Sequence, residues 1–190
     1  ETLSRVTDPN DRSTCILFGD GAAAMVLTPS DDHGPGLISW DLGCDGSSAG
    51  LLGITAGGSR VPASEKTIAA GMQYIKMQGQ EVFRRAVRVV VDSALISLER
   101  AGVTANEIDW FIPHQANLRI IQAGARRLKI PMEKTIVNID KYGNTSAASI
   151  PLALAEAVDS GKIKSGDRIL LSGFGAGMTW GSAVIEWGSP

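Results

Sequence analysis

Residues 108–128, IDWFIPHQANLRIIQAGARRL, predict the fold, because they describe a buried strand that passes directly into a helix. The apolar strand covers residues 108–112 and stops at Pro113, which has no backbone N–H to donate. A helix is expected from about Asn117, a good N-cap residue, to Leu128. His114 therefore stands at the carboxyl end of a strand, where α/β proteins often carry functional groups.

The rest of the chain continues this alternation of strands and helices. Helices are predicted over residues 78–101, ended by Gly102, and from Thr145 or Ser146 to residue 160, with Pro151 in the first turns. Residues 45–70 have no clear period and predict a long loop. Further strands are predicted at residues 15–18, 22–27, 36–43, 135–137, 168–172 and 182–187. The expected fold class is α/β, as one layered unit.

Composition excludes several classes of function. The 190 residues are 44% hydrophobic and 20% charged with a net charge of −2, which fits one globular domain. No basic run exceeds two residues, so no nucleic-acid partner is expected. No segment approaches the roughly 18 apolar residues of a membrane helix. The start, ETLSR, does not resemble a signal peptide and is expected to be an internal cut.

Three short motifs carry the chemistry. They are PHQAN at residues 113–117, GNTSAAS at residues 143–149 and GFGAG at residues 173–177. His114, Asn144 and the N–H groups of a tight glycine turn can together stabilise an oxyanion and move a proton. Taken alone, His114 is equally well explained as a histidine at a strand boundary, and Asn144 as a turn residue before an N-cap.

The chain offers no convincing nucleophile. Cys15 falls within a predicted strand, and Cys44 precedes Asp45, whose negative charge disfavours a thiolate. The two cysteines indicate reduced thiols in a cytosol-like compartment, and no zinc pattern is formed. GDGAAA at residues 19–24 fits a dinucleotide fingerprint, but only six residues, 22–27, lie between Gly21 and the turn at Thr28 and Pro29, too few for the required helix.

In combination, the three motifs closely resemble β-ketoacyl-[acyl-carrier-protein] synthase III. The extended stretches PHQANLRI, GNTSAAS and GFGAGMTWGSA carry the resemblance, with FGDGA at residues 18–22 and GQEVFR at residues 79–84 in register. The resemblance covers the whole chain but only the C-terminal half of that enzyme. It implies a thiolase-like fold of two layered βαβαβ halves, in which residues 1–190 form the C-terminal half. The nucleophilic cysteine would lie in the N-terminal half, absent from this chain.

The resemblance also implies an activity and residue roles. Such enzymes transfer an acetyl or other short acyl group from coenzyme A to the cysteine, then condense it with malonyl-acyl-carrier-protein as carbon dioxide leaves. By position, His114 and Asn144 match the catalytic pair and Ala176 an arm of the oxyanion hole. Coenzyme A or substrate would contact Arg12, Gln80, Phe83, Asn117 and Arg119. The acidic carrier protein would meet Arg84, Arg119, Arg126 and Arg127.

The implied partners are the carrier protein, a short acyl-coenzyme A, the N-terminal half and a second copy in a homodimer, with neither metal nor cofactor. The implied location is a bacterial cytoplasm or a plastid stroma. Two alternatives remain: another thiolase-like condensing enzyme, such as a polyketide type, and a half-domain that only binds or dimerises. A lone half is also expected to expose a large apolar face where its partner half packs.

Overall fold

The structure, a computed structural model, describes residues 1–29 and 34–188. The strands in chain order are β1 (Gly36–Cys44), β2 (Leu52–Ile54), β3 (Ile75–Met77), β4 (Trp110–Pro113), β5 (Arg168–Gly175) and β6 (Thr179–Glu186). The α-helices are α1 (Glu65–Ala69), α2 (Gly79–Ala101), α3 (Leu118–Leu128), α4 (Ile139–Tyr142) and α5 (Ser149–Asp159). Short 3₁₀ helices cover Leu3–Val6, Gly46–Leu51, Ala105–Glu107, Met132–Lys134, Ser146–Ala148 and Ala176–Met178.

Four strands form the main sheet in the order β1-β6-β5-β4. Strands β4 and β5 are parallel, as expected for strands joined through helices, whereas β6 pairs antiparallel with both β5 and β1. Strands β2 and β3 pair separately as a two-stranded ribbon. The parallel pair places Pro113 opposite Ser172. The motif at residues 113–117 and the motif at residues 173–177 therefore begin side by side at one edge of the sheet.

Helices cover both faces of the sheet, because alternate side chains of each strand point to opposite sides. On one face, Phe111, Leu170 and Val184 pack with α2 and α3. On the other, Ile112 and Ile169 pack against α5. The two clusters make the α/β layering that the sequence predicts.

The three long helices confirm the sequence prediction closely. Helix α2 ends at Gly102, whose φ of 67° is the left-handed conformation that glycine adopts at helix ends. Helix α3 begins after Asn117, whose side-chain Oδ1 accepts a hydrogen bond from the Arg119 N–H at 2.8 Å. Pro151 lies in the first turn of α5, where its missing N–H breaks no helical hydrogen bond.

The predicted strands at residues 15–18 and 22–27 are wrong. Residues 15–17 lie in turns, Phe18 forms only an isolated bridge with Asn144, and residues 22–29 are exposed without strand pairing. Their apolar, β-branched character favours a strand, but a strand also needs a neighbour for its N–H and C=O groups. No other described strand pairs with this segment.

Other boundaries also differ from the prediction. The expected loop over residues 45–70 contains a 3₁₀ helix, β2 and α1, and α1 is held by a capping box between Ser64 and Thr67. Thr135 makes only an isolated bridge with Phe111 instead of starting a strand. Strand β5 extends through Gly175, so only Gly177 and its neighbours form the expected tight turn.

One part of the sheet has none of the described helices over it. Strand β1 buries its polar residues Ser39 and Asp41 toward α2 and exposes its apolar ones, with Trp40 54% and Leu42 74% exposed. These side chains border an open hollow of about 390 Å³ on the face of β1, β5 and β6. Exposing apolar side chains to water costs free energy, so this face of β1 resembles a surface that is normally covered by another protein segment.

Candidate active site

His114 occupies the carboxyl end of β4, where the strand leaves the sheet. Its backbone N–H donates to the Ser172 carbonyl oxygen at 2.8 Å, which extends the β4–β5 pairing by one residue. Because α3 begins four residues later, the chain turns sharply here, and His114, Ala116 and Asn117 line a cavity beside the strand end. His114 therefore lies at the kind of position where α/β folds bind ligands.

The His114 ring is held on two sides. Its Nδ1 lies 2.6 Å from Ser149 Oγ, and the Phe174 ring packs edge-on with centroids 5.5 Å apart. Ser149 Oγ also accepts the Gln115 backbone N–H at 3.2 Å, and its hydroxyl proton can donate to Nδ1. When the Ser149 hydroxyl donates to Nδ1, the ring proton is on Nε2. Burial lowers the pKa of His114 to about 4, so the imidazole is neutral near pH 7.

Asn144 is fixed by three hydrogen bonds, two from the backbone and one from its side chain. Its N–H donates to the Leu17 carbonyl at 3.1 Å, and its own carbonyl accepts the Gly19 N–H at 2.9 Å. The side-chain Oδ1 accepts the Ser146 N–H at 2.9 Å. Since the oxygen is occupied, the NH₂ group remains to donate into the adjoining cavity.

The glycine-rich turn lines the same cavity as this pair. Ala176 follows β5 directly, and Gly177 and Met178 have φ values of 73° and 45°, which reverse the chain into β6. The φ of Gly177 lies in the left-handed region, which glycine adopts without the strain that a side chain adds, so the turn explains Gly177. Phe174, Gly175 and Ala176 all line the same cavity as His114.

A single cavity of about 610 Å³ brings the predicted catalytic residues together. His114, Asn144 and Ala176 lie on its wall, with Phe83 and Asn117. Most of its other lining residues are apolar: Leu3, Leu17, Phe18, Leu52, Ile54, Ile75, Met77, Val82, Ala116, Ile120 and Phe174. The few polar donors in such an apolar cavity form strong hydrogen bonds with a bound ligand, because water competes with them less.

Several residues predicted to bind substrate or carrier protein do not line this cavity. Arg84 pairs with Glu81 on the exposed side of α2. The neighbours of two others do line the cavity, since Gly79 precedes Gln80 and Ser13 follows Arg12. The six residues outside the cavity wall are all exposed: Arg12, Gln80, Arg84, Arg119, Arg126 and Arg127.

Sequence reasoning missed two residues that hold the site. Ser149, which contacts His114, has a predictable place at the start of a helix, but its contact depends on tertiary packing. Gln115 is 1% exposed, and its side chain is fully engaged by backbone groups. Its position next to His114 was the only available signal.

Two negative findings concern the described residues alone. Within residues 1–29 and 34–188, no group of three or more His, Cys, Asp or Glu side chains lies close enough to hold a metal ion. No helix in the same part of the chain is long and apolar enough to cross a membrane.

The family models and the curated relatives that match this chain belong to the same family. Residues 98–187 match the model of the 3-oxoacyl-[acyl-carrier-protein (ACP)] synthase III C terminal, and residues 1–46 match a second model of 3-oxoacyl-[acyl-carrier-protein (ACP)] synthase III. The β-ketoacyl-[acyl-carrier-protein] synthase III of Roseiflexus sp. (strain RS-1) is 53% identical over 178 residues, which are 94% of this chain and 54% of that protein.

Solved structures agree with this family and confirm the predicted α/β thiolase-like fold. The 3-oxoacyl-[acyl-carrier-protein] synthase III of Aquifex aeolicus VF5 has a TM-score of 0.86 and 46% identity, over 98% of this chain and 56% of that one. The priming β-ketosynthase of the R1128 polyketide biosynthetic pathway has a TM-score of 0.84 and 38% identity, over 99% of this chain and 55% of that one. The chain thus spans about half the length of the relatives it matches.

Proposed function

Because the chain belongs to the 3-oxoacyl-[acyl-carrier-protein] synthase III family, we propose that it is the C-terminal half of a β-ketoacyl-[acyl-carrier-protein] synthase III. In this proposal the chain supplies the part of the active site that decarboxylates malonyl-acyl-carrier-protein. The observation that carries it is the meeting of His114 and Asn144 on one largely apolar cavity. Neither Cys15 nor Cys44 is on the wall of that cavity, so the acyl-accepting thiol comes from elsewhere.

The decarboxylation follows from the two donors. The Nε2–H of His114 and the NH₂ group of Asn144 donate to the thioester carbonyl oxygen of the malonyl group. As the bond to the carboxylate breaks, its electron pair moves into an enolate whose oxygen both donors stabilise, and carbon dioxide leaves. The lowered pKa of His114 favours this step, because a neutral imidazole can hold the enolate without transferring its proton.

The carbon of the enolate then attacks the acyl group carried by the cysteine of the N-terminal half. The carbonyl oxygen of that acyl group becomes negative during the attack and needs its own donors. The backbone N–H of Ala176 is proposed as one of them, since Ala176 faces the same cavity as His114 and Asn144. The thiolate leaves as the new carbon–carbon bond forms, and the product stays on the carrier protein.

Exposed apolar surface supports the proposal that a second half is required. Besides Trp40 and Leu42 on β1, Val26 is 89% and Leu27 87% exposed in a segment of strand-like sequence without a strand partner. A sheet in the N-terminal half would pair with this segment and cover the β1 face. The same reasoning predicts that the chain alone is poorly soluble.

Substrate and partner contacts are carried over by position. Phe83 and Asn117 border the cavity, where they would contact the pantetheine arm, while Arg12, Gln80 and Arg119 would contact coenzyme A nearer the mouth. The cationic surface of α2 and α3 suits the acidic carrier protein, through Arg84, Arg119, Arg126 and Arg127. We further propose a homodimer in a bacterial cytoplasm or a plastid stroma, with coenzyme A thioester as a substrate and no cofactor.

A polyketide-priming synthase is the second candidate, supported by the 38% identity to the R1128 priming enzyme. Both candidates use the same decarboxylation chemistry and differ in the acyl group that they accept. Rates with acetyl-coenzyme A and with longer acyl-coenzyme A donors separate them.

The proposed division of labour is tested by intact mass spectrometry under denaturing conditions. The complete synthase, assembled from this chain and its N-terminal half as separate polypeptides, is incubated with acetyl-coenzyme A. One acetyl group should appear on the N-terminal half and none on this chain. An acetyl group on this chain would contradict the proposal, as would the absence of any acetylated polypeptide.

A further inference from the structure

Gln115 connects the segment that carries His114 to the segment that leads to Asn144. Its side-chain Nε2 donates to the carbonyls of Pro113 at 2.7 Å and Ile136 at 3.2 Å. Its Oε1 accepts the backbone N–H of Asn138 at 3.0 Å. Both amide hydrogens and the carbonyl are thus used in a fully buried position, which fixes the side chain in one orientation.

The connection continues from Asn138 into α5. Asn138 is 4% exposed, and its Nδ2 donates to Glu156 Oε2 at 2.8 Å. The other oxygen of Glu156 accepts Tyr142 OH at 2.8 Å and Lys141 Nζ at 3.1 Å. Because these donors belong to α4 and to the residue before it, Glu156 ties the helix that immediately precedes Gly143 and Asn144 to α5.

These bonds form a closed ring. Helix α5 carries Glu156 and, seven residues earlier, Ser149, whose Oγ contacts both the His114 ring and the Gln115 N–H. Gln115, Asn138, Glu156, α5 and Ser149 therefore enclose the two segments from which His114 and Asn144 project. A ring restrains two segments better than a single contact does, because each bond limits the motion left by the others.

We propose that Gln115 is a positioning residue that fixes the separation of His114 and Asn144, acting through Asn138 and Glu156. It touches no reacting atom. By holding their segments, it lets His114 and Asn144 donate to the same thioester oxygen. A displacement of either side chain by about 1 Å costs on the order of a hundredfold in rate. The inference rests on the proposed function, because it assumes that the two side chains act on one oxygen.

The first test replaces Gln115 by methionine, which preserves volume and removes all three side-chain hydrogen bonds. The matched control is Gln122→Met, since Gln122 is exposed on α3. In the assembled synthase with this chain labelled with ¹⁵N, the side-chain amide signal of Asn144 and the ring signals of His114 should both shift in Gln115→Met and stay unchanged in the control. Unchanged signals from both residues in a folded Gln115→Met protein would overturn the proposal.

The second readout is kinetic. For malonyl-thioester decarboxylation, kcat in Gln115→Met should fall about tenfold to a hundredfold, while KM stays within about twofold because the binding surface is intact. A parallel loss of acetyl transfer to the N-terminal half, or an unchanged kcat, would contradict a positioning role. If the unsubstituted synthase does not decarboxylate malonyl thioester, the proposed function fails, and the Asn144 and His114 signals still decide whether Gln115 holds the two residues.

A second variant guards against misfolding of Gln115→Met, whose change buries unpaired backbone groups. Glu156→Ala opens the same ring at a half-exposed position, and Asp159→Ala, on the exposed side of α5, is its control. Glu156→Ala should shift the Asn144 signal and lower kcat for decarboxylation by more than about threefold, with the control unchanged. If Glu156→Ala and Asp159→Ala gave the same Asn144 signal and the same kcat, a connection through α5 would be refuted.

Discussion

Replacement of His114 by glutamine should remove a pH dependence of stability that the buried ring imposes. The pKa of His114 falls from 6.5 to about 4 in the folded chain because burial disfavours the charged form. The unfolded chain therefore binds the proton more readily, and the folded state loses stability as pH falls from about 6.5 toward 4. Between pH 7 and pH 4.5 this linkage amounts to about 2 kcal/mol, at 1.36 kcal/mol for each pKa unit.

Urea unfolding at pH 7 and pH 4.5 measures this effect in both proteins. Glutamine has a polar side chain that does not titrate, so His114→Gln should lose about 2 kcal/mol less than the unsubstituted chain over this interval. The carboxylates titrate in both proteins and cancel in the comparison. Equal losses would refute the depressed pKa of His114 in the folded chain.

Two further predictions concern the support of the site. Ser149→Ala should remove the donor to Nδ1, so ¹⁵N spectra of the His114 ring should change from a single Nε2–H tautomer to a mixture; an unchanged spectrum would mean that Ser149 does not select the tautomer. Gly19→Ala should destabilise the fold by more than about 2 kcal/mol, because its Cβ would meet the Tyr142 carbonyl oxygen in a severe clash. Gly46→Ala, with open space around it, is the control in the same urea titration, and equal midpoints would contradict the clash.

The sequence predicts best the elements whose signals are local. The 3.6-residue pattern, the Asn117 cap and the Gly102 stop all lie within or next to their helices, and the structure has α2 and α3 where they are predicted. Pro113 likewise ends β4. Such features need no knowledge of distant parts of the chain.

Errors arise where an element depends on a distant neighbour. Residues 22–27 have the composition of a strand, but nothing in the described chain pairs with them. Gly173 and Gly175 resemble turn residues, yet β6 lies alongside them and draws them into β5. Pairing is decided by tertiary structure, which composition does not reveal.

The candidate site likewise combines residues that local motifs predict with contacts that depend on distant parts of the chain. His114 and Asn144 are predicted from motifs and the resemblance they carry, and the structure places both on one cavity. The contact of Ser149 with His114 and the ring through Gln115 involve residues 18 to 35 positions apart along the chain. No periodicity or cap signal reports such contacts, so they appear only once the chain is folded.

Release of carbon dioxide from malonyl-acyl-carrier-protein, measured in a complete synthase whose nucleophilic cysteine is replaced by alanine, tests the central claim most directly. If this chain supplies the decarboxylating half, release continues without the thiol and is abolished when either His114→Ala or Asn144→Ala is added. Release that stops with the cysteine alone, or that survives both substitutions in this chain, would contradict the account.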